Sequence, residues 1–372
     1  VILSAAKSVA KSATKAKSRL GTLLLVAGLS SLTALIFSVS RAYCEDVQRD
    51  PEEIKKGDAA LSKNKVKEAI AAYREAIRLH PDSAKAHAKL GSALAASDDE
   101  ETAILEEQTS IKLDPKYFLP HVVLGQIYAN KGDMKSALPE IRQACALKPD
   151  SYRAHLDLGQ VCTMMDLLDE GLAAYRQASE IKPQEADPHT NIGVILSLKG
   201  KYEEAVKEEE QAIELNPKLP LAYQNLGNIY ADAKNYNDAA KAFRDWLKLQ
   251  PKHPKAHSDL GVVLLKQGDI KAAIDEQRQA LKLAPDFYLA HRRLAEALVA
   301  DGNTAGATTE FKETLRLKPT DTTTHVQFAK FLTAQGKTDD ASNEYRKALE
   351  TNPDLKIAKD GLAELMSKTK TK

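Results

Sequence analysis

Seven of the nine histidines fall on one lattice of 34 residues: His87, His121, His155, His189, His257, His291 and His325, with Tyr223 in the vacant place. Imidazoles are the commonest metal ligands and titrate near neutrality, so a ladder of them could hold metal ions or relay protons. Spacing opposes a shared ion. Equivalent residues of neighbouring repeats are at least one interhelical distance apart, about 8–10 Å, whereas two imidazoles on one zinc ion need two bonds of about 2 Å. The favoured reading is a ring filling the gap between two helices, with one nitrogen hydrogen-bonded. No metal and no cofactor is expected, and a metal- or small-ligand module built on the histidines is the alternative.

Two residues after the histidine position runs a polar stripe, Asp157, Asn191, Asn225, Asp259 and Arg293, flanked by Gln160, Asn228 and Glu296. Amides and acids repeated along a surface can pair with the backbone of an extended peptide; the competing reading is a solvated helix face. Catalytic motifs are absent: no phosphate loop, dinucleotide fingerprint, nucleophile elbow or His-Glu-x-x-His appears, and no enzyme is expected. Cys44, Cys145 and Cys162 include no C-x-x-C pair, which excludes a zinc ribbon or a haem attachment site. Cys145 and Cys162 occupy apolar positions and read as buried free thiols. The run Glu208-Glu209-Glu210, beside Lys207, reads as the solvated outer face of a helix.

The elements that carry these residues follow from the same lattice. Prolines recur at 81, 115, 149, 183, 217, 251, 285, 319 and 353 without an insertion. Twenty-four residues before each stands Gly57, Gly91, Gly125, Gly159, Gly193, Gly227 or Gly261, then Ala295 and Ala329. An apolar residue precedes most of these, as in Leu90, Leu124, Ile192 and Phe328, and a small residue sits twelve before the proline, as in Ala69 and Ala103. Apolar residues recur at helical spacing in both halves of the period, for example Leu226, Ile229 and Tyr230. A polar turn such as Gly132-Asp133 or Gly268-Asp269 separates the halves, and the proline, which has no N–H to continue a helix, ends the second. The unit is therefore a helix pair, and nine pairs in series predict an all-α fold, an α-solenoid.

The coincidence of period, Leu-Gly pair, small residues and proline resembles the tetratricopeptide repeat family over 50–355. The repeats are expected at 50–83, 84–117, 118–151, 152–185, 186–219, 220–253, 254–287, 288–321 and 322–355, with 356–372 as a C-terminal capping helix and tail. Glu53 and Lys56 replace apolar residues in the first repeat and predict a polar N-terminal cap. The resemblance implies that the first helix of each repeat lines a concave groove. That makes the polar stripe a candidate binding site for a protein or peptide partner, and the chain a non-catalytic scaffold. The carboxylate clamp of chaperone-binding members is not expected: Asn228 and Arg293 match it, but Asp259 and Leu289 stand where other partners are needed.

Charge divides the chain. Its 53 basic and 52 acidic residues nearly balance, but 1–19 holds Lys7, Lys11, Lys15, Lys17 and Arg19 without an acid. The remainder is mildly acidic and gives no reason to expect nucleic-acid binding. Residues 20–40, between Arg19 and Arg41, carry no charge; as a helix they span about 30 Å, enough for a bilayer core. A single-pass transmembrane anchor with a linker at 41–49 is the favoured reading. The cations before it place the N-terminus in the cytoplasm and the repeats outside, in a bacterial inner membrane and periplasm. A cleaved secretory signal and a mitochondrial presequence are the alternatives, as is an import receptor of the mitochondrial surface.

Overall fold

The structure is a computed structural model that describes residues 51–370. The basic start and the apolar segment 20–40 lie outside the described residues. Among the described residues there are nineteen helices and no strand, and no helix is long and apolar enough to cross a membrane.

The chain divides into two compact units after Gly200. The described part of the first contains α1 (Glu52–Ser62), α2 (Val66–Leu79), α3 (Ala84–Ala95), α4 (Glu100–Leu113), α5 (Phe118–Asn130), α6 (Met134–Leu147), α7 (Tyr152–Met164), α8 (Leu168–Ile181) and α9 (Asp187–Leu198). The second contains α10 (Tyr202–Leu215), α11 (Pro220–Asp232), α12 (Tyr236–Leu249), α13 (Pro254–Gln267), α14 (Ile270–Leu283), α15 (Tyr288–Ala300), α16 (Thr304–Leu317), α17 (Thr322–Ala334), α18 (Thr338–Thr351) and α19 (Lys356–Lys370). Within each unit, consecutive helices pack as hairpins, and hairpins stack on their neighbours in the manner of an α-solenoid.

The boundaries follow from local chemistry. Each second helix stops just before the residue that precedes the proline; His80, Gln250 and Lys318, for instance, leave the helical region, with φ of −135°, −132° and −137°. A following proline disfavours the helical region for the residue before it. Helix starts are capped: the side chains of Ser83, Asp133, Asp269 and Asp321 accept from backbone N–H groups three residues on. The turn inside each hairpin needs one left-handed residue. Glycine supplies it in five turns, whereas Asn64, Asp98, Asp166 and Lys234 take φ of 58–63° in the other four. Lys234 has neither glycine's freedom nor the short polar side chain that makes this region tolerable for Asn and Asp.

Close helix crossings explain the Leu-Gly position. A Cβ on Gly227 would lie 2.5 Å from the Phe243 ring, and one on Gly159 would lie 2.5 Å from the Tyr175 ring. The two helices of a repeat therefore approach until a large side chain of the second lies flat on bare backbone of the first. Ala69, Ala103, Ala137, Ala205, Ala239, Ala273, Ala307 and Ala341 are fully buried at a second such contact. Lys56 at the N-terminal helix is exposed, whereas Ile54 beside it is buried. Each apolar side chain of this size withdrawn from water stabilises the stack by about 1.5–3 kcal/mol.

Candidate functional site

The histidines do more than fill gaps. Four of them hold hydrogen bonds at both ring nitrogens, where the sequence led us to expect one. In His87, His257, His291 and His325, Nδ1 lies within hydrogen-bond distance of a carboxylate of the second helix of the same repeat: Glu106, Glu276, Glu310 and Glu344, at 2.6, 2.7, 2.6 and 2.6 Å. Nε2 lies within hydrogen-bond distance of the carbonyl of the preceding lattice proline: Pro81, Pro251, Pro285 and Pro319, at 3.1, 3.0, 2.9 and 2.8 Å. The ring stands at a seam between two helices and the loop that precedes them, so it meets an acceptor on each side.

The variants keep one of the two contacts, and His121 Nε2 is buried without a partner. His121 pairs with Glu140 at 2.7 Å. His155 reaches the Pro149 carbonyl at 2.9 Å, but Ala174 stands where the glutamate would be, and its Nδ1 has no partner. Where Tyr223 replaces histidine, its hydroxyl donates to the Pro217 carbonyl at 3.1 Å and Ala242 replaces the glutamate. Sequence reasoning missed the glutamates, although they keep the 34-residue beat nineteen residues after the histidines. Burial alone would lower the His291 and His325 imidazoles, but their glutamates and proline carbonyls outweigh it and raise both above the ordinary value. Among the described residues no three His, Cys, Asp or Glu side chains are grouped as metal ligands.

The polar stripe divides into groups spent on the fold and groups left open. In the first unit Asp157 is buried; Arg153 reaches it at 2.9 Å and Gln126, one repeat earlier, donates to it at 2.7 Å. Burial dominates and raises its carboxyl despite both partners. In the second unit Asp259 is equally buried, but Lys255 and Arg293 both pair with it, Arg293 at 2.8 Å. Burial pushes that carboxyl up, and the two cations outweigh it and hold it below the usual range. Arg293 also donates to the Ser258 hydroxyl at 2.8 Å, and Glu296 accepts from Gln327 at 2.7 Å. Asn225 is buried. Gln160 is exposed, Asn191 and Asn228 are half-buried, and none of these three makes a side-chain hydrogen bond among the described residues.

The acidic run corrects the sequence reading. Glu210 is exposed, but Glu209 is fully buried. It stands at the lattice position of Tyr73, Ile141, Tyr175 and Phe243, which three glutamates in a row disguise. Glu107, at the same position, lies against Gly91 and is likewise fully buried. Burial drives both carboxyls well above the ordinary range, Ser92 beside Glu107 and Asn225 beside Glu209 opposing it. The seventh repeat has Gln277 there, whose amide donates to the Ser258 carbonyl and accepts from its hydroxyl, both at 2.8 Å.

That comparison gives a prediction. A carboxyl whose pKa is raised by folding contributes stability below its unfolded value, near 4.5, and loses it as pH rises. Glu107 Oε2 moreover has no partner. Glu107→Gln is expected to stabilise the first unit by about 1–2 kcal/mol at pH 8, the scale of relieving an unpaired buried polar atom. The gain should shrink towards pH 4.5; urea midpoints at the two pH values measure it.

Cys162 is buried and Cys145 half-buried, both as free thiols. Burial pushes each up to about 12, out of the reactive range.

Two family models match the chain: one described as TPR repeat over residues 57–98 and 195–233, one described as tetratricopeptide repeat over 122–186, 225–286 and 258–322. Together they cover more than half of it. No curated protein sequence matches. Among solved structures, a tetratricopeptide repeat protein from Parabacteroides merdae is similar at 19% identity and a TM-score of 0.57, over 67% of this chain and 98% of that one. A chain in the Cut9–Hcn1 hetero-tetramer of APC/C is similar at 17% identity and a TM-score of 0.50, over 73% of this chain and 54% of that one. At such identities the likeness is one of fold.

Proposed function

The chain belongs to the tetratricopeptide repeat family, and from that premise we propose that it is a non-catalytic scaffold that holds a polypeptide along the first helices of its repeats. Proteins of this family are in general binding scaffolds for proteins or peptides. The observation that carries the reading is the set of amides left over by the fold. Gln160, Asn191 and Asn228 have donors and acceptors to offer, while Asp157, Asp259, Arg293 and Glu296 are engaged by neighbours within the fold. An amide can bond both a peptide N–H and a peptide C=O, so Gln160 and Asn191 on first helices of the first unit suit an extended backbone better than a charged ligand, and Asn228 offers the same pairing in the second unit.

Residues 20–40 would tether the scaffold to a membrane, with the cations before them in the cytoplasm and the repeats on the far side. Such a tether would give the scaffold a place in assembling or retaining a membrane-associated complex.

A photo-crosslinking residue placed in turn at Gln160, Asn191 and Asn228 in the full-length chain, expressed in its own cells, is expected to capture a polypeptide at all three. The same probe at Lys112 and Lys248, exposed on second helices, is the control. Equal capture from the control positions, or none from the amide positions, would overturn the proposal.

A further inference from the structure

A neutral imidazole has one donor and one acceptor nitrogen, yet His87, His257, His291 and His325 each face an acceptor on both sides. The proline carbonyl can only accept. The glutamate can donate only if protonated, and in the best-defined case it is not. Burial would raise Glu344, but His325 together with Lys347, 2.8 Å from its other oxygen, holds it below the ordinary value. A neutral ring would therefore set a nitrogen lone pair against an oxygen lone pair at 2.6–3.1 Å.

We propose that these four rings are imidazolium staples, and that they make each unit a proton-sensitive stack: charged, a ring ties together the proline loop, the first helix and the second helix of its repeat; uncharged, it must release one of its two partners. One staple lies in the first unit and three in the second. The charged groups around the four rings differ. His325 faces Glu344 and Lys347 of α18. His291 faces Glu310 of α16 and senses Glu313, which is itself paired with Arg316 at 2.7 Å. His257 faces Glu276 of α14, with the ring of His253 nearby, whose imidazole is lowered chiefly by burial and then by Lys255 and by His257 itself. His87 faces Glu106 of α4. His291 and His325 are raised, so their contribution is complete below the unfolded imidazole value, about 6.5, and is lost as pH rises through the folded value. Glu107 and Glu209, raised by burial, act with the same sign.

The test uses the full-length chain with ¹⁵N-labelled histidine, together with urea unfolding from pH 6 to pH 9. Both ring nitrogens of His291 and His325 are expected to carry protons at pH 7, and the unfolding midpoint to fall steadily across the range. The double variants H291Y/E310A and H325Y/E344A copy the Tyr223–Ala242 arrangement the protein already contains. They are expected to fold and to flatten that fall. Neutral rings at pH 7, or double variants that keep the full pH dependence, would overturn the proposal. Should a variant not fold, the ring-nitrogen spectrum of the unmutated chain decides by itself.

Discussion

Replacing Trp246 with alanine is expected to lower the stability of the second unit by about 3–5 kcal/mol, the usual cost of deleting a large buried aromatic. The side chain is 2% exposed and is the only tryptophan. Its ring lies 6.4 Å from that of Phe243 and 4.7 Å from that of His253, and its N–H donates to Gln250 at 3.1 Å. Lys255 stands over its face at 5.6 Å. Six other repeats carry alanine at this lattice position, among them Ala178, Ala212 and Ala280, so the backbone tolerates the change and alanine gains a few tenths of a kcal/mol in helix propensity. That gain is small beside the cavity left among side chains arranged around an indole. At about 2–4 °C per kcal/mol for a unit of this size, the melting temperature should fall by roughly 10 °C, read by circular dichroism because the fluorophore is lost. A loss below about 1 kcal/mol would mean that the helices close to the spacing of the alanine repeats.

The second large effect is expected from Arg293→Ala, at about 2–3 kcal/mol. The substitution strips buried Asp259 of one of two cations and removes the donor to Ser258 that couples α13 to α15. Lys255 remains, which keeps the cost below that of a fully orphaned carboxylate. Asp259 is depressed by folding, so its contribution is present above its unfolded value, near 3.8, and is lost as pH falls. Without Arg293 that loss should begin at higher pH. Urea midpoints between pH 3 and 7 measure both effects. An unchanged midpoint at pH 7 with weaker partner binding would return Arg293 to the open part of the groove.

The helices were legible because their signals are local. The proline lattice, the Leu-Gly pair and the alanines each act within one hairpin, and the structure places helix ends, turns and close crossings where those residues require them. The site was half legible. The stripe from Asp157 to Arg293 could be read from its beat, but Asp157 meets Gln126 and Asp259 meets Arg293 across 31 and 34 residues. No single-repeat pattern shows whether such a side chain faces solvent or its neighbour. Glu106, Glu276, Glu310 and Glu344 were hidden for another reason: surface glutamates are common on second helices, and only the matching losses at Ala174 and Ala242 mark them as partners of the histidine position. Glu209 was misread because three identical residues conceal helical phase. Counting sixteen residues from Gly193 places it at the lattice position of Phe243, which follows Gly227 by the same interval.

The cross-repeat pairs also bear on how the chain finds its own order. Hairpins with the same alanines, turns and prolines could dock on one another out of step with little steric objection. The joints are individually keyed. In the second unit the position of Arg293 is taken by Asn225, Asp259 and Gln327 in other repeats, and only one adjacency sets a guanidinium against the buried carboxylate of Asp259. A stack slipped by one hairpin, or assembled from two molecules in mixed order, would bury that carboxylate without its arginine. Near-identical modules are thus sorted into one sequence by mismatches that a wrong neighbour cannot satisfy, a safeguard against slipped and intermolecular assembly in a protein whose parts otherwise look interchangeable.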